Sequence, residues 1–283
     1  MDPHERRFAV LISLSHGLQH FLRRVFPPLI PIWAVMFGFQ LTSAGILLGI
    51  QALGSALGQA PFGILSDRYD RRYILPTGIA VSAISVGMFA TVPFLTAVET
   101  DITVLGAEWN LSYVSMLVAM FGVGLGGSVL HPTGYPLISE NITPSRKGRV
   151  LGMWGSAAKL GDGAAPAIVG LLLIAFRWTD ILLLLGLLIT GYSLYLFVAL
   201  GRFKTHPEVE TDTHRPLRAS PDDTAESSQR NSLLSGDCRV YFYPLSLIFF
   251  FFAIRMLAVS GVNVFIPEFI TSEYGYSFVL FGI

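Results

Sequence analysis

Eight ionisable side chains interrupt stretches that are otherwise apolar and uncharged. His16, His20, Arg23 and Arg24 lie in the first stretch, His131 in the fourth, Lys159 and Asp162 in the fifth, and Arg255 in the seventh. A charge inside a bilayer is costly unless it is paired or faces water, so such residues mark binding sites and proton paths. His16, His20 and Arg23 are spaced four and three apart and share one helical face. Lys159 and Asp162 are three apart and can pair, while Arg24 points elsewhere, toward backbone or another helix. Counted from the ends of their stretches, His20, Arg23, Asp162 and Arg255 lie near the middle. The set is more basic than acidic, which suits a cavity that holds a solute with an anionic group. Histidine titrates near neutral pH and can pass protons to and from a carboxylate. The plainer alternative is that Lys159 and Asp162 only neutralise each other and His16 is a satisfied interior hydrogen-bonder.

These residues need long apolar elements to carry them. The chain has 283 residues, of which 52% are hydrophobic and 13% charged, and its mean hydropathy is +0.59. Soluble domains carry about 25% charged residues, so the composition is that of an all-α polytopic membrane protein. Stretches of about 20 apolar residues span a bilayer. Seven qualify: 8–33, 41–65, 73–94, 112–139, 150–176, 181–200 and 244–270, and an eighth begins near 277. Arginine and lysine in the short connections fall almost wholly on one side if the amino terminus is cytoplasmic: Arg6 and Arg7, then Arg68, Arg71 and Arg72, then Arg146, Lys147 and Arg149, then Arg202 and Lys204. That asymmetry sets the expected orientation. Residues 201–243 are polar and cannot bury a core, so they read as a cytoplasmic linker. The expected domains are therefore a six-helix half over 1–200, a linker over 201–243, and the start of a second half over 244–283.

The basic first residues followed by an apolar run are not expected to be a cleavable leader, because His16, His20, Arg23 and Arg24 break the run and no small-residue cleavage pattern follows. A single cysteine, Cys238, forms no intrachain disulfide or thiolate metal site. Net charge is zero and names no nucleic-acid partner. Neither His-Glu-x-x-His nor Gly-x-Ser-x-Gly occurs, so no enzyme, cofactor or metal site is expected. A seven-helix receptor is the alternative from another class. Its retinal form needs a lysine in the last helix, and 244–270 has none. Asn110-Leu-Ser112 matches a glycosylation triplet that is short enough to arise by chance.

The charged turn Gly63-Ile-Leu-Ser-Asp67-Arg68-Tyr-Asp-Arg71-Arg72 separates the second and third stretches. Gly63 is expected to allow close helix approach. Asp67 sits near a helix carboxyl end, where an anion needs a cationic partner; Arg68, Arg71 and Arg72 are the candidates, which would make the turn a conformational latch. Gly58 to Pro61 and Gly163 to Pro166 repeat a Gly-x-x-Pro pattern in the middle stretch of each triplet, as nested three-helix repeats of transporters would.

This turn resembles the loop motif of the major facilitator superfamily, with Ser66 and Asp70 at two variant positions. The fifth stretch resembles that superfamily's antiporter motif through Gly152, Gly161, Pro166 and Gly170, with Ala165 and Val169 where glycine is usual. Gly124 and Gly126 match the fourth-helix motif, but Met120 replaces its arginine. Ser15-His16-Gly17 and His131-Pro132 are similar to the fosmidomycin-resistance branch. The resemblance implies a six-helix bundle of two three-helix repeats plus a seventh helix and the opening of an eighth. It also implies alternating access in a multi-pass protein of the cell membrane, with small-molecule substrate and protons as partners. The expected function is proton-coupled export of an anionic, phosphonate-like or drug solute; import of an organic anion is the alternative. Because the family has about twelve spans, a truncated and inactive copy, or one needing a missing carboxyl-terminal half, is also an expectation.

Overall fold

The computed structural model describes residues 1–38, 40–96, 101–104 and 107–207, with isolated residues between 246 and 274. The chain divides into two units, one holding Met1–Pro207 with Pro267–Ile283 and the other Glu208–Ile266; the helical bundle is built within Met1–Pro207. The seventh and eighth stretches, Arg255 and linker residues 208–243 lie outside the described residues.

Local signals fix where the helices begin. Helix α1 (Pro3–Arg24) starts at Asp2, whose carboxylate accepts from the Glu5 amide at 2.8 Å, with proline at the first helical position. It ends ahead of Pro27 and Pro28, which lack amide donors; a 3-10 turn (Pro27–Leu29) leads into α2 (Ile30–Phe37). The first apolar stretch is thus a broken rod. Helix α3 (Leu41–Arg68) runs unbroken through Pro61. Helix α4 (Arg71–Met88) is capped by Asp70, which accepts from the Arg72 amide at 2.9 Å, and continues through a 3-10 turn into α5 (Val92–Thr96). Strands β1 (Asp101–Val104) and β2 (Ala107–Asn110) then pair antiparallel, Asp101 opposite Asn110. This hairpin was not foreseen. Asn110 caps α6 (Leu111–Gly127) through a 3.0 Å bond from the Ser112 amide. Helices α7 (Leu130–Asn141), α8 (Pro144–Leu172) and α9 (Trp178–Leu200) complete the bundle.

Among the described residues, three helical stretches are long and apolar enough to cross a membrane: Arg71–Thr96, Leu111–Asn141 and Trp178–Leu200. The sequence pattern predicts six over this region. Helices α1, α3 and α8 are of similar length, but His16, His20, Gln51, Gln59, Lys159 and Asp162 interrupt their apolar runs. Several of these polar groups meet one another, as transmembrane helices with polar faces must.

Packing follows pairs: α1 lies against α8, α3 against α6, and α4 against both α6 and α9. Glycine sets the closest approaches. A methyl on Gly161 of α8 would stand 2.1 Å from the Gly17 carbonyl oxygen of α1, and one on Gly124 of α6 would stand 1.9 Å from the Gln51 carbonyl oxygen of α3. No side chain fits there, so the two backbones touch. The core fills with Leu22, Leu75, Ile79, Met116, Met120 and Leu182, and at one end Trp33 stacks on Phe89 at 5.3 Å. Helix α9 leaves Leu187, Leu188, Leu194 and Val198 exposed, each by more than 60%, as a lipid-facing surface does.

Candidate transport site on the first and eighth helices

The close α1–α8 seam brings the foreseen residues together. His20 Nδ1–H donates to Asp162 Oδ1 at 3.0 Å. Arg24 Nε reaches the same oxygen at 3.5 Å, and Lys159 Nζ lies 3.6 Å from Asp162 Oδ2. Three nitrogen groups therefore converge on one half-buried carboxylate. One turn away, His16 Nδ1–H donates to the Trp154 carbonyl at 2.9 Å, and the His16 ring stacks on the Trp154 indole with centroids 3.8 Å apart. The His16 ring also stands edge-on to His20 at 4.7 Å and to His131 at 5.5 Å. His131 in turn stacks on Tyr135 at 5.8 Å.

A cleft of about 360 Å³ opens over this cluster, lined by His16, His20, His131, Tyr135, Trp154 and Lys159 with Leu151, Gly155 and Ala158. Its floor is buried at His16, whereas His131, Tyr135 and Lys159 are exposed. His16 Nε2 and Trp154 Nε1 are buried without hydrogen-bond partners among the described residues. Groups of this kind are costly to leave unmet, and a ligand or water commonly meets them. Among the described residues, no group of three or more His, Cys, Asp or Glu is placed to hold a metal ion.

Arg24, expected to reach backbone or another helix, meets Asp162 of α8, whereas Arg23, expected on the face of His16 and His20, stays out of that cluster, because a residue four positions from His20 stays closer to its face than one three positions away. Arg23 lies toward α6, its Cδ 3.6 Å from where a methyl on Gly127 would stand, and among the described residues it has no ion-pair partner. Trp154 and Tyr135 were missed, since an aromatic residue in an apolar helix gives no sequence sign that it lines a cleft. Of the antiporter-like residues, Gly161 forms the seam and Gly170 is buried, Pro166 lies within α8, and a methyl on Gly152 would meet open space.

The charged turn is built differently from its expectation. Asp67 and Arg68 are exposed, and no ion pair joins Asp67 to arginine among the described residues. Gly63 makes no close approach, as a methyl there would meet nothing within 4 Å. Arg71 instead is buried, donating from Nη1 to both Glu140 oxygens at 2.7 and 2.8 Å and from Nε to Ser66 Oγ at 3.1 Å. Ser66 Oγ donates in turn to the Pro132 carbonyl at 2.9 Å. Arg72 donates to the Phe197 carbonyl at 2.9 Å and lies over that residue's ring. The first cation to follow the turn at helical spacing thus binds across to α7, where a carboxylate is available and desolvation is shared; Glu140 carried no motif that pointed to it.

A helical membrane protein with a polar cleft among α1, α7 and α8, lined by three histidines and a lysine, has the frame of a membrane transporter. Residues 12–283 match the Major Facilitator Superfamily model, and the chain belongs to that family of transporters, which are not enzymes. The seven-helix receptor is thereby set aside. The chain is 22% identical over 231 residues to a probable L-galactonate transporter of Escherichia coli K12, covering 80% of this chain and 44% of that protein. It is 25% identical over 171 residues to the glycerol-3-phosphate transporter of Bacillus subtilis strain 168, covering 60% of this chain and 35% of that protein. The chain spans less than half the length of these relatives. In fold it is similar to a bacterial homologue of the human lysosomal transporter Spinster, solved inward-facing and occupied: the TM-score is 0.72 at 17% identity, over 100% of this chain and 57% of that one.

Proposed function

We propose that the protein works within a secondary active transporter that moves a small organic anion across the cell membrane, coupled to protons, by alternating access. The observation that carries this reading is Asp162, bound by His20, Arg24 and Lys159 at the edge of the cleft. An anion entering beside His16 and His131 meets cations already balanced by one carboxylate. It must draw Arg24 or Lys159 away from Asp162, and the change in charge is then made good by a proton. L-galactonate and glycerol 3-phosphate, named for two relatives, are both anionic. The branch resemblance at Ser15-His16-Gly17 and His131-Pro132 adds phosphonates and export of drugs to the range tested. Uptake is the second reading, favoured by the same charge balance, since an anion that draws a cation from Asp162 favours protonation of that carboxylate and the two can then travel together.

The packing scheme supports nested repeats. Exchanging the first three rods for the next three maps the α1–α8 pair onto α6–α3 and leaves α4–α9 in place, three of the four main packed pairs; α4–α6 is the pair the exchange does not reproduce. The basic residues at the ends of α3, α4 and α8 support a cytoplasmic amino terminus. The test is proteoliposomes holding the full-length protein with a trapped pH-sensitive dye. L-galactonate, glycerol 3-phosphate and a phosphonate are added under gradients of either sign. Substrate-dependent proton movement is expected, its sign giving the direction, with loss in Asp162→Asn and His20→Gln. Proton movement that both variants leave intact overturns the residue assignment; none with any anion overturns the substrate class.

A further inference from the structure

A second cleft lies at the basic end of the bundle, between the start of α1 and the end of α9, with a volume of about 460 Å³. It lies on the earlier part of α1 than the Asp162 cluster and shares no lining residue with the first cleft. Its composition is divided along the helix axes. Arg6, Arg7 and Arg202 form one end and all are exposed. Val10 and Leu11 on α1, and Tyr195 and Val198 on α9, form the wall beyond them. The arrangement follows from antiparallel helices: Val10 is four residues after Arg6, and Val198 four before Arg202, so each cation stands one turn outside an apolar residue of the same face. His4 ties the two ends, its Nε2 lying 3.2 Å from the Arg202 carbonyl oxygen and its ring 4.6 Å from that of Phe203.

Among the described residues the cations have no counter-ion here. Glu5, the acid nearest in sequence, turns the other way, accepting from the Thr143 amide at 3.0 Å and pairing with Arg146. Asp2 caps the helix. Among the described residues no carboxylate pairs with Arg6, Arg7 or Arg202. Tyr195, Val198 and Val10 are exposed by 59, 63 and 51%, which leaves the apolar wall facing outward. A groove with three cations that no described carboxylate pairs, over an outward apolar wall, in a chain of a membrane family, is complementary to one kind of molecule. We infer that it is a binding site for an anionic phospholipid, the phosphate held by Arg6, Arg7 and Arg202 and an acyl chain lying along Val10, Leu11, Tyr195 and Val198. Basic pockets between transmembrane helices hold anionic headgroups in this way, and the lipid would brace the first and last helices of the bundle against each other.

The test uses the purified full chain in mild detergent and native mass spectrometry. Phosphatidylglycerol and phosphatidylcholine of identical acyl chains are offered in equal amounts, with inorganic phosphate in a third arm. Each cation near an anionic surface is worth about fivefold in affinity, so preference for phosphatidylglycerol on the order of a hundredfold is expected, falling to near parity in the Arg6→Gln, Arg7→Gln, Arg202→Gln variant. Arg177→Gln, at the other end of α9, should keep the preference, as should Val198→Ala with weaker binding of both lipids. Equal binding of the two lipids by the unaltered chain overturns the inference, as does a preference that survives the triple substitution. Displacement by millimolar inorganic phosphate would make the groove a free-anion site and overturn the lipid. Should the triple variant unfold, the unaltered chain's lipid preference and the Val198→Ala result still decide.

Discussion

Adding one methyl group at Gly161 should do far more than adding one at Gly163, two residues along the same helix. At Gly161 the new carbon would stand 2.1 Å from the Gly17 carbonyl oxygen and 3.1 Å from the Phe21 amide nitrogen, both backbone atoms of α1. Backbone cannot swing aside, so α1 and α8 must part until the contact reaches at least 3.0 Å, a separation of about 1 Å in a close-packed seam. Overpacking of this kind costs about 1–3 kcal/mol, less the ~1 kcal/mol that alanine gains over glycine in a helix. Gly161→Ala should therefore lose up to about 2 kcal/mol. At Gly163 nothing lies within 4 Å, so only the helix-propensity gain of up to about 1 kcal/mol remains. The same parting lengthens the 3.0 Å His20–Asp162 bond to about 4 Å, which is no hydrogen bond. Tryptophan-fluorescence melting in detergent is the assay, followed by proton flux in proteoliposomes. Gly161→Ala should melt a few degrees lower and lose coupling, while Gly163→Ala melts at the same temperature or higher with coupling intact. Equal melting of the two variants would refute the claim that backbone contact sets the seam.

Three further outcomes are expected. Removing one partner of the Arg71–Glu140 pair strands the other, and Arg71 is nearly buried, so Arg71→Gln or Glu140→Gln should each cost about 3 kcal/mol and the double variant less than their sum, measured as a double-mutant cycle of melting. Glu5 lies ahead of the apolar part of α1, where the Thr143 amide and Arg146 hold its carboxyl down to about 2. Its folded value is below its unfolded one, so its stabilisation is complete above about pH 4.5 and fades as pH falls toward 2; acid unfolding curves of Glu5→Gln and the unaltered chain should differ above that window and converge below it. Gln19 donates to Ser82 Oγ at 2.5 Å, which donates to the Val123 carbonyl at 2.9 Å. Ser82→Ala leaves the buried Gln19 amide donor unmet and should cost about 1–3 kcal/mol, visible as faster amide exchange where α1, α4 and α6 meet.

How much of this was legible depended on which physics each residue obeys. Long apolar runs and the arginines between them placed the rods to within a few residues, because bilayer length and charge burial act on composition alone. The ends were less legible: the apolar pattern of the first stretch runs through Pro27 and Pro28, where the structure breaks it, and the caps Asp2 and Asp70 emerge only in the structure. Partner choice was not legible. Asp67 and Arg71 are four apart and invite pairing, yet Arg71 finds Glu140, far along the chain, because the fold brings that carboxylate into a drier place. Arg23 and Arg24 are neighbours in sequence, and only the turn angle of α1 against α8 decides which meets Asp162. The hairpin at Asp101–Asn110 is too short for an alternating pattern to stand out.

The chain does not leave the bundle where α9 ends. Beyond Leu200 it doubles under the basic end: Asn141 exchanges two hydrogen bonds with Lys204 at 2.7 and 2.9 Å, the Arg71 amide donates to the Thr205 carbonyl at 3.0 Å, and His206 lies 3.1 Å from Asp70. Thr205 is buried. Residues 201–207, polar enough to read as linker, are in effect a mooring line made fast to α4 and α7. Tension transmitted along the segment after Pro207 would arrive at the Arg71–Glu140 junction and bypass the end of α9. A severed half made for separate expression should accordingly be cut after Pro207, since a cut at Leu200 would cast off the line and bare both of its cleats.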